Sequence, residues 1–176
     1  MIQGQFCFIS DEFFVIYDKE RKLMRNKEIV GGKEHGRPCF YAFKDKKNPY
    51  ILWCIPISSH VDKYTRIYNH KIEKQRDNGI KTPKCNTIRF GAVMGVKKAF
   101  LIQNIFPVIE KYIKEIYIKR LTQEAVRIPQ NIEQDIISHA DEVLRLVRSG
   151  NKNLVFSDII KTYCDLKTEL EQHDKS

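Results

Sequence analysis

Two apolar runs separated by a charged, proline-ending segment constrain the fold most strongly. Residues 39–43 read CFYAF and residues 50–55 read YILWCI, with KDKKNP between them. Runs rich in aromatic and β-branched residues are typical of strands, and turn-forming residues between two such runs indicate a hairpin. Because neither run alternates with polar residues, we expect this hairpin to be buried on both faces.

The rest of the chain predicts further strands and then helices. Four other segments have the composition of strands: residues 6–9, 13–17, 88–94 and 99–105. Three segments carry apolar residues at helical spacing: residues 61–77, 130–149 and 157–171. We expect a long exposed loop over the charged stretch 18–33. Residues 108–121 fit a helix by their period and a strand by their β-branching, so both assignments stay open.

This order of elements predicts an α+β fold. The chain has 176 residues, which suits one domain, since domains average roughly 100–200 residues. We therefore expect a single domain over residues 1–176. It would be built on a compact, strongly bent antiparallel sheet elaborated by helices, two of them C-terminal.

The charge of the chain is high and unevenly distributed. The formal net charge is +9, with 31 Lys and Arg against 22 Asp and Glu. Residues 1–120 hold 24 basic and 12 acidic side chains, whereas residues 121–176 hold 7 and 10. A basic body with a mildly acidic tail indicates a polyanionic partner, although lysines that serve only solubility would give the same numbers.

Several classes of protein and site are not indicated. No apolar run approaches the ~20 residues of a membrane span, and the N-terminus lacks the pattern of a secretory signal. The five cysteines are odd in number and form no C-x-x-C pair, so a disulfide framework and a zinc site are not expected and a cytoplasmic location fits best. Phosphate-loop, dinucleotide-binding and G-x-S-x-G motifs are absent, as is metal-ligand spacing, so we expect no cofactor and no metal.

The junction between the second apolar run and the helix at 61–77 is the most suggestive segment for chemistry. Backbone N–H groups at a helix start favour anions, Ser58 and Ser59 add hydroxyl donors, and Lys63 and Arg66 fall in the first turns. These donors together predict a phosphate site. The alternative is that Ser59 caps the helix, in a capping box with Asp62, and that Ser58 is a loop residue.

Two further side chains are candidates at this site. Arg37 opens the first apolar run, where a guanidinium can bind a phosphate with two parallel hydrogen bonds, but it can also be an ordinary surface arginine. His60 follows the two serines and could act as a general acid or base, or be a solvated loop residue.

Cations alternate with aromatic residues between positions 63 and 98. Rings such as Tyr68 and Phe90 among lysines suit single-stranded RNA, because bases stack on the rings and phosphates pair with the cations. The alternative is that the tyrosines of the predicted helix face the core. The residues predicted to contact RNA are Lys33, Tyr64, Arg66, Lys71, Lys74, Lys81, Lys84, Lys97 and Lys98.

The chain resembles the endoribonuclease toxins of type III toxin–antitoxin systems, the ToxN/AbiQ/CptN family, and within it the CptN branch. The likeness rests on Arg37 at the start of an apolar strand and on the strand that runs into Pro-Ile-Ser-Ser at 56–59. A basic segment, the sequence QNIFPV at 103–108 and two C-terminal helices follow in the family's order. The likeness covers about residues 4–170, and the order of the motifs is more specific than any one of them.

The resemblance implies a fold like that of the Kid/MazF toxins and metal-independent cleavage of cellular or phage RNA. Attack by an RNA 2′-hydroxyl would give a 2′,3′-cyclic phosphate and a 5′-hydroxyl. The implied partner is a small repeated RNA antitoxin that folds into a pseudoknot, blocks the active site by direct binding and closes a protein–RNA ring. Such systems act in abortive infection by phage.

The family's site residues fall on specific positions of this chain. The hydroxyl pair corresponds to Ser58 and Ser59, and the basic residue before the strand to Arg37, with Lys33 as a substitute. The family lysine corresponds to Lys63, at a spacing two residues longer than the family's, and the aromatic residue after it to Tyr64. The general base and acid stay open between a lysine and His60. A non-catalytic RNA-binding module is the alternative function, and an interaction domain whose charge is incidental is a third.

Overall fold

The computed structural model describes residues 1–173 and has an α+β architecture. In this part of the chain there are four α-helices: α1 (Asp11–Tyr17), α2 (Val61–Asp77), α3 (Gln130–Arg148) and α4 (Ile159–His173). The strands are β1 (Phe6–Ile9), β2 (Lys27–Val30), β3 (Lys33–Gly36), β4 (Cys39–Lys44), β5 (Ile51–Ser58), β6 (Arg89–Val93), β7 (Val96–Phe100), β8 (Phe106–Ile109) and β9 (Ile113–Ile116). Strands β2 and β3 form a separate hairpin. The other seven form one antiparallel sheet of order β6-β7-β5-β4-β1-β9, in which β8 also pairs with β5.

Strand β5 lies inside this sheet and is buried along its whole length. One edge pairs with β4. The other edge is shared, because residues 51–54 pair with β8, whereas Ile57 and Ser58 pair with β7. The change of partner falls at Pro56, a residue that has no N–H to donate to a strand ladder.

Helices cover both faces of the sheet, because successive residues of a strand point to opposite faces. Phe40 and Trp53 pack with the apolar side of α3 on one face, and Tyr41 and Cys54 pack with α1 and α4 on the other. A third cluster joins Tyr64 of α2 to β7. The prediction that the β4–β5 hairpin is buried on both faces is confirmed.

Most of the predicted elements are confirmed. Helix α2 has the predicted bounds, and α3 and α4 differ from theirs by one or two residues. Strand β1 and the β4–β5 hairpin are also present, and β6 lies within the predicted segment. Gly79 follows α2 with a φ of +78°, the left-handed conformation that ends helices.

The strand prediction for residues 13–17 is wrong, because these residues form most of α1. The ring of Phe13 lies 5.4 Å from that of Phe106 and 5.7 Å from that of Tyr112, measured between centroids. Two acidic residues occupy the first turn, where the helix dipole favours them. Packing of the aromatic rings under a helix therefore overrides a local strand composition.

Three other boundaries differ from the prediction. The stretch expected to be a loop over 18–33 contains β2, which turns into β3 through Gly31 and Gly32. Strand β7 ends at Phe100 and is followed by a 3₁₀ turn over Ile102–Asn104, so residues 99–105 are not one strand. Residues 108–121 contain the end of β8 and all of β9 and no α-helix, because β9 pairs with the edge of β1. None of the helices in residues 1–173 is long and apolar enough to cross a membrane.

The turn between β4 and β5 carries a buried carboxylate that ties both C-terminal helices to the hairpin. Asp45 accepts hydrogen bonds from Trp53 Nε1 at 2.9 Å and from the Tyr163 hydroxyl at 3.0 Å. Arg148 of α3 pairs with the same carboxylate, and its guanidinium lies 5.6 Å from the centre of the Trp53 ring. Burial alone would raise the pKa of Asp45, but these partners outweigh it and lower the pKa to about 2. The fold therefore stabilises the ionised form.

We expect Asp45→Asn to lower the free energy of unfolding at pH 7 by about 2–4 kcal/mol, because it leaves Arg148 without its charge partner. Since the pKa of Asp45 is lowered by folding, its contribution should be present above the ordinary value of 3.8 and lost as the pH falls towards about 2. Urea unfolding curves from pH 7 to pH 2 measure both effects. Asp141→Asn is the control: Asp141 pairs with Lys46 at 3.0 Å on the surface, so its loss should cost less than about 1 kcal/mol.

Candidate active site

Three segments of the chain meet at the end of β5. Ser58 is the last residue of β5, and Ser59 follows it. Arg37 lies just before β4, and the antiparallel register pairs Cys39 with Pro56. This register places Arg37 close to the two serines. The β2–β3 hairpin ends one residue before Arg37 and folds over the same point.

The carboxylate of Glu28, contributed by β2, lies at the centre of this meeting point. Its Oε1 accepts a hydrogen bond from Ser59 Oγ at 2.8 Å, and its Oε2 accepts one from Ser58 Oγ at 3.2 Å. The backbone N–H of Ser59 lies 3.3 Å from both oxygens, and Arg37 Nη2 lies 3.3 Å from Oε2. Only 7% of the Glu28 side chain is exposed. A carboxylate thus occupies the point where hydroxyl, N–H and guanidinium donors converge.

Arg37 is buried although it carries a charge, with 8% of the residue exposed. Its Nη1 donates to the carbonyl of Arg25 at 2.9 Å, and its backbone N–H donates to the carbonyl of Asn26 at 2.6 Å. The guanidinium is therefore held by the Arg25 carbonyl as well as by Glu28, and the main chain of Arg37 is held by Asn26. It is not the surface arginine of the alternative interpretation.

Lys98 of β7 brings a second cation to the site. The ladder between β5 and β7 pairs Ser58 with Ala99, and this register places Lys98 beside Ser59. The Lys98 ammonium donates to Ser59 Oγ, and the same hydroxyl donates to Glu28. We call Arg37, Ser58, Ser59 and Lys98 the donor cluster.

The donor cluster stabilises negative charge. Burial raises the pKa of Glu28, but the hydrogen bonds from Ser59 and the charge of Arg37 outweigh it, and the pKa is lowered overall. Burial also raises the pKa of the nearby Tyr64 hydroxyl, while the charge of Arg37 lowers it and that of Glu28 raises it. Any oxyanion of suitable size would gain from the same donors, and a phosphate is one.

The predicted cation Lys63 lies apart from this arrangement. It is exposed in the first turn of α2, where its ammonium lies 5.7 Å from the centre of the Tyr64 ring. No described hydrogen bond or ion pair joins Lys63 to the donor cluster. The cation that contacts Ser59 is instead Lys98 of β7.

His60 is the N-cap residue of α2, and its ring is exposed. Its backbone N–H donates to Ser58 Oγ at 3.2 Å, so the contact to the site is made by the main chain. The capping-box interpretation of Ser59 is wrong. The Ser59 hydroxyl is engaged by Glu28 and Lys98, and α2 has no side-chain cap.

The residues predicted to contact RNA divide into exposed and enclosed side chains. Six of them are exposed: Lys33, Arg66, Lys74, Lys81, Lys84 and Lys97. Tyr64 is only 5% exposed and packs in the core, so no base can stack on its ring, as the alternative interpretation holds. Lys71 donates to Thr87 Oγ1 at 2.8 Å and to Gln103 Oε1 at 2.7 Å, and desolvation lowers its pKa. Lys71 therefore joins α2 to the loop that contains Thr87 and to the 3₁₀ turn that contains Gln103.

The aromatic residues at the edge of this surface are only half-buried. Tyr68 of α2 and Phe90 of β6 meet in a T-shaped arrangement, with ring centroids 6.0 Å apart. Lys97 lies 5.3 Å from the centre of the Phe90 ring. This cation and ring pair is the part of the predicted RNA surface that keeps aromatic character.

A cleft of about 440 Å³ opens beside the donor cluster, between the β2–β3 and β6–β7 hairpins. Its polar end is formed by Glu28, His35, Ser59 and Lys98. Its apolar wall is formed by Val30, Pro38, Ile57, Val93, Met94 and Val96, with Tyr117 nearby. The volume is in the range of clefts that bind small organic ligands, and a polar end with an apolar wall suits a nucleotide.

Glu28 and His35 are the site residues that the sequence analysis misses, because both lie in or beside the segment interpreted as an exposed loop. The missed signal is a pair of glycines between two four-residue segments, KEIV and KEHG. Gly31 and Gly32 have φ values of +57° and +74°, as the two-residue turn of a tight hairpin requires. With that turn recognised, Glu28 and His35 are opposite each other in the register.

No protein-family model matches the chain, and none of the curated proteins is similar enough to count as a match. Among residues 1–173, no three His, Cys, Asp or Glu side chains are grouped so that they could hold a metal ion. The function is therefore inferred from the geometry of the donor cluster and its cleft.

We expect Arg37→Ala to lower the free energy of unfolding by about 1.5–3 kcal/mol, because it removes the charged hydrogen bonds of the guanidinium to Glu28 and to the Arg25 carbonyl. Adding Glu28→Gln to Arg37→Ala should recover part of that loss, and urea unfolding of the two single variants and the double variant gives the coupling energy. The control is the ion pair of Lys27 with Glu34 on the same hairpin, at 3.3 Å and more than half exposed. Breaking it with Lys27→Ala should cost less than about 1 kcal/mol. Equal effects of the two substitutions would contradict the buried pair.

Proposed function

We propose that this protein is a metal-independent endoribonuclease toxin of a type III toxin–antitoxin system, of the ToxN/AbiQ/CptN family, with a Kid/MazF-like fold. It cleaves RNA by attack of a 2′-hydroxyl on the adjacent phosphorus and leaves a 2′,3′-cyclic phosphate and a 5′-hydroxyl. The supporting observation is that Arg37, Ser58 and Ser59, which the family resemblance names from separate parts of the sequence, converge on one enclosed anion.

The donor cluster suits the charge that this reaction develops. In the transition state the non-bridging oxygens of the phosphate gather negative charge, and fixed donors aimed at them lower the barrier. Ser58, Ser59 and the Ser59 N–H supply neutral donors, and Arg37 supplies a buried guanidinium. Lys98 takes the place expected of Lys63, because it already donates to the Ser59 hydroxyl.

The surroundings of the cluster suit an RNA chain. The neighbouring cleft has an apolar wall against which a base can lie, and exposed lysines are present on both hairpins that border it and on α2. The RNA partners we propose are the cellular or phage substrate and a small repeated pseudoknot RNA antitoxin. The antitoxin covers the donor cluster and alternates with the protein in a closed ring in the cytoplasm.

A non-catalytic RNA-binding module is the second candidate, and one observation favours it. The donors of the cluster are engaged by Glu28, so the protein satisfies them without any ligand. In that case the cluster is a structural junction, and RNA binds only the exposed lysines.

Cleavage of a mixed transcript by RNA-free protein in excess EDTA distinguishes the two candidates. We expect products that end in 2′,3′-cyclic phosphate. Ser59→Ala and Lys98→Ala should each lower the rate by roughly 10²–10³-fold, because each removes a donor or its partner from the developing charge. Lys63→Ala should have a much smaller effect. The binding module predicts no cyclic-phosphate ends from any variant, and a larger loss for Lys63→Ala than for Lys98→Ala would place the cation at Lys63.

RNA affinity should depend on the exposed lysines through their contacts with phosphates. In a Ser59→Ala background, in which cleavage should be slow, Lys74→Ala with Lys81→Ala should weaken binding and reduce the slope of log Kd against log salt by about 1.4, or ~0.7 per lost phosphate contact. Titrations at several salt concentrations measure the slope. The control is Lys167→Ala on α4, where Lys167 pairs with Glu171 at 3.5 Å. An unchanged slope in the double variant would remove this surface from the interface.

A further inference from the structure

We propose that the Glu28 carboxylate is a built-in competitor for the RNA phosphate. The β2–β3 hairpin holds it in the donor cluster, and the substrate phosphate binds by displacing it. This inference rests on the function proposed above and concerns the regulation of the same site.

The Glu28 carboxylate is fully occupied by hydrogen-bond donors. A carboxylate has about four acceptor positions, and four donors meet this one: Arg37 Nη2, the Ser58 hydroxyl, the Ser59 hydroxyl and the Ser59 N–H. None of these four donors is free to bind a second oxyanion while Glu28 remains. A phosphodiester placed beside the ionised carboxylate would also be repelled by it. Binding of phosphate at the cluster therefore requires that Glu28 leave.

Apart from the contacts of Glu28, the β2–β3 hairpin is only weakly attached to the rest of the fold. Strands β2 and β3 pair only with each other among the described elements, and seven of their eight residues are exposed, the exception being Glu28. Two-stranded hairpins of this kind are marginally stable on their own. Three of the four donors lie 3.2–3.3 Å from the carboxylate oxygens, which is long for bonds to a charged group. Among the described side-chain hydrogen bonds and ion pairs, those of Glu28 are the ones that join residues 27–36 to the rest of the fold.

The donors of the cluster keep their positions when Glu28 leaves. Arg37 stays fixed by the carbonyls of Arg25 and Asn26, which lie below the hairpin. Asn26 is itself fixed, because its side chain donates to the carbonyl of Ile9 at 3.0 Å and to Asp11 at 2.7 Å. The hairpin can therefore open above residue 26 while the donors keep their positions. An incoming phosphate meets a preformed site.

Phosphate affinity tests this exchange without requiring cleavage. Calorimetric titration with inorganic phosphate, and with a 2′-deoxy dinucleotide that cannot be cleaved, should give roughly 10-fold to 100-fold tighter binding to Glu28→Gln than to the wild type, since the variant no longer holds the site closed. The matched control is Glu34→Gln, which removes the same charge from the same hairpin but from a residue opposite Ile29 and outside the cleft. It should bind phosphate as the wild type does.

Hydrogen exchange gives a second measurement. Phosphate should speed the exchange of wild-type amides over residues 27–36, because the hairpin is released, and in Glu28→Gln this exchange should already be fast. Equal phosphate affinity of Glu28→Gln and Glu34→Gln overturns the proposal. Loss of cleavage by 10²-fold or more in Glu28→Gln, with unchanged phosphate affinity, also overturns it and makes Glu28 a proton-transfer residue.

Failure of this inference and failure of the proposed function give different results. If the wild type cleaves no RNA but Glu28→Gln binds phosphate more tightly, the inference that Glu28 competes with phosphate holds and the proposed ribonuclease function is wrong. If the wild type cleaves RNA and the two glutamine variants bind phosphate equally, the proposed ribonuclease function holds and the inference that Glu28 competes with phosphate is wrong.

Discussion

The pairing of β5 along both edges is the constraint on which the rest of the structure depends. Because β4 takes one edge while β8 and β7 divide the other at Pro56, the strand is enclosed and its end has a fixed position relative to three neighbours. Arg37 lies just before β4, Lys98 lies in β7, and the two serines are the last residue of β5 and the one after it. The donors therefore come from the central sheet and the residues beside it, and donors in fixed positions are what electrostatic stabilisation of a transition state requires.

Two enclosed carboxylates lie near opposite ends of the β4–β5 hairpin, and their surroundings give them different roles. Asp45 is held by Trp53, Arg148 and Tyr163, which belong to β5, α3 and α4, so its removal affects the packing of the whole molecule. Glu28 is held by comparable donors, but it is carried by a hairpin that contributes no residue to the core. A hydrogen-bonded carboxylate therefore holds helices and sheet together at Asp45, whereas at Glu28 the same kind of contact can be exchanged for another anion.

The sequence predicts those parts of the fold whose signal is local. Helix α2 has its period and its terminal glycine in the sequence, and the β4–β5 hairpin has two apolar runs around a turn. The strand predicted for residues 13–17 fails because the partners of Phe13, among them Phe106 and Tyr112, are some 90 residues away along the chain. The same limit applies to the site: Ser58, Ser59 and Arg37 can be found from motifs, whereas Lys98 reaches Ser59 only through the ladder of β5 with β7. Glu28 was accessible from its Gly-Gly turn, but its role depends on contacts with residues 30 positions further on.

The distribution of charge and the occupation of the site act at different distances. Ten of the 24 basic side chains of residues 1–120 lie on α2 and the β2–β3 and β6–β7 hairpins, against five acidic ones. Their field attracts a polyanion over a distance of about a Debye length, ~8–10 Å at moderate salt. At the donor cluster itself the nearest charge includes that of Glu28, which is negative. A polyanion attracted to this surface would meet that carboxylate at the donor cluster. The exposed lysines and the Glu28 carboxylate therefore act on a polyanion separately, the first by long-range attraction and the second by occupying the donors of the cluster.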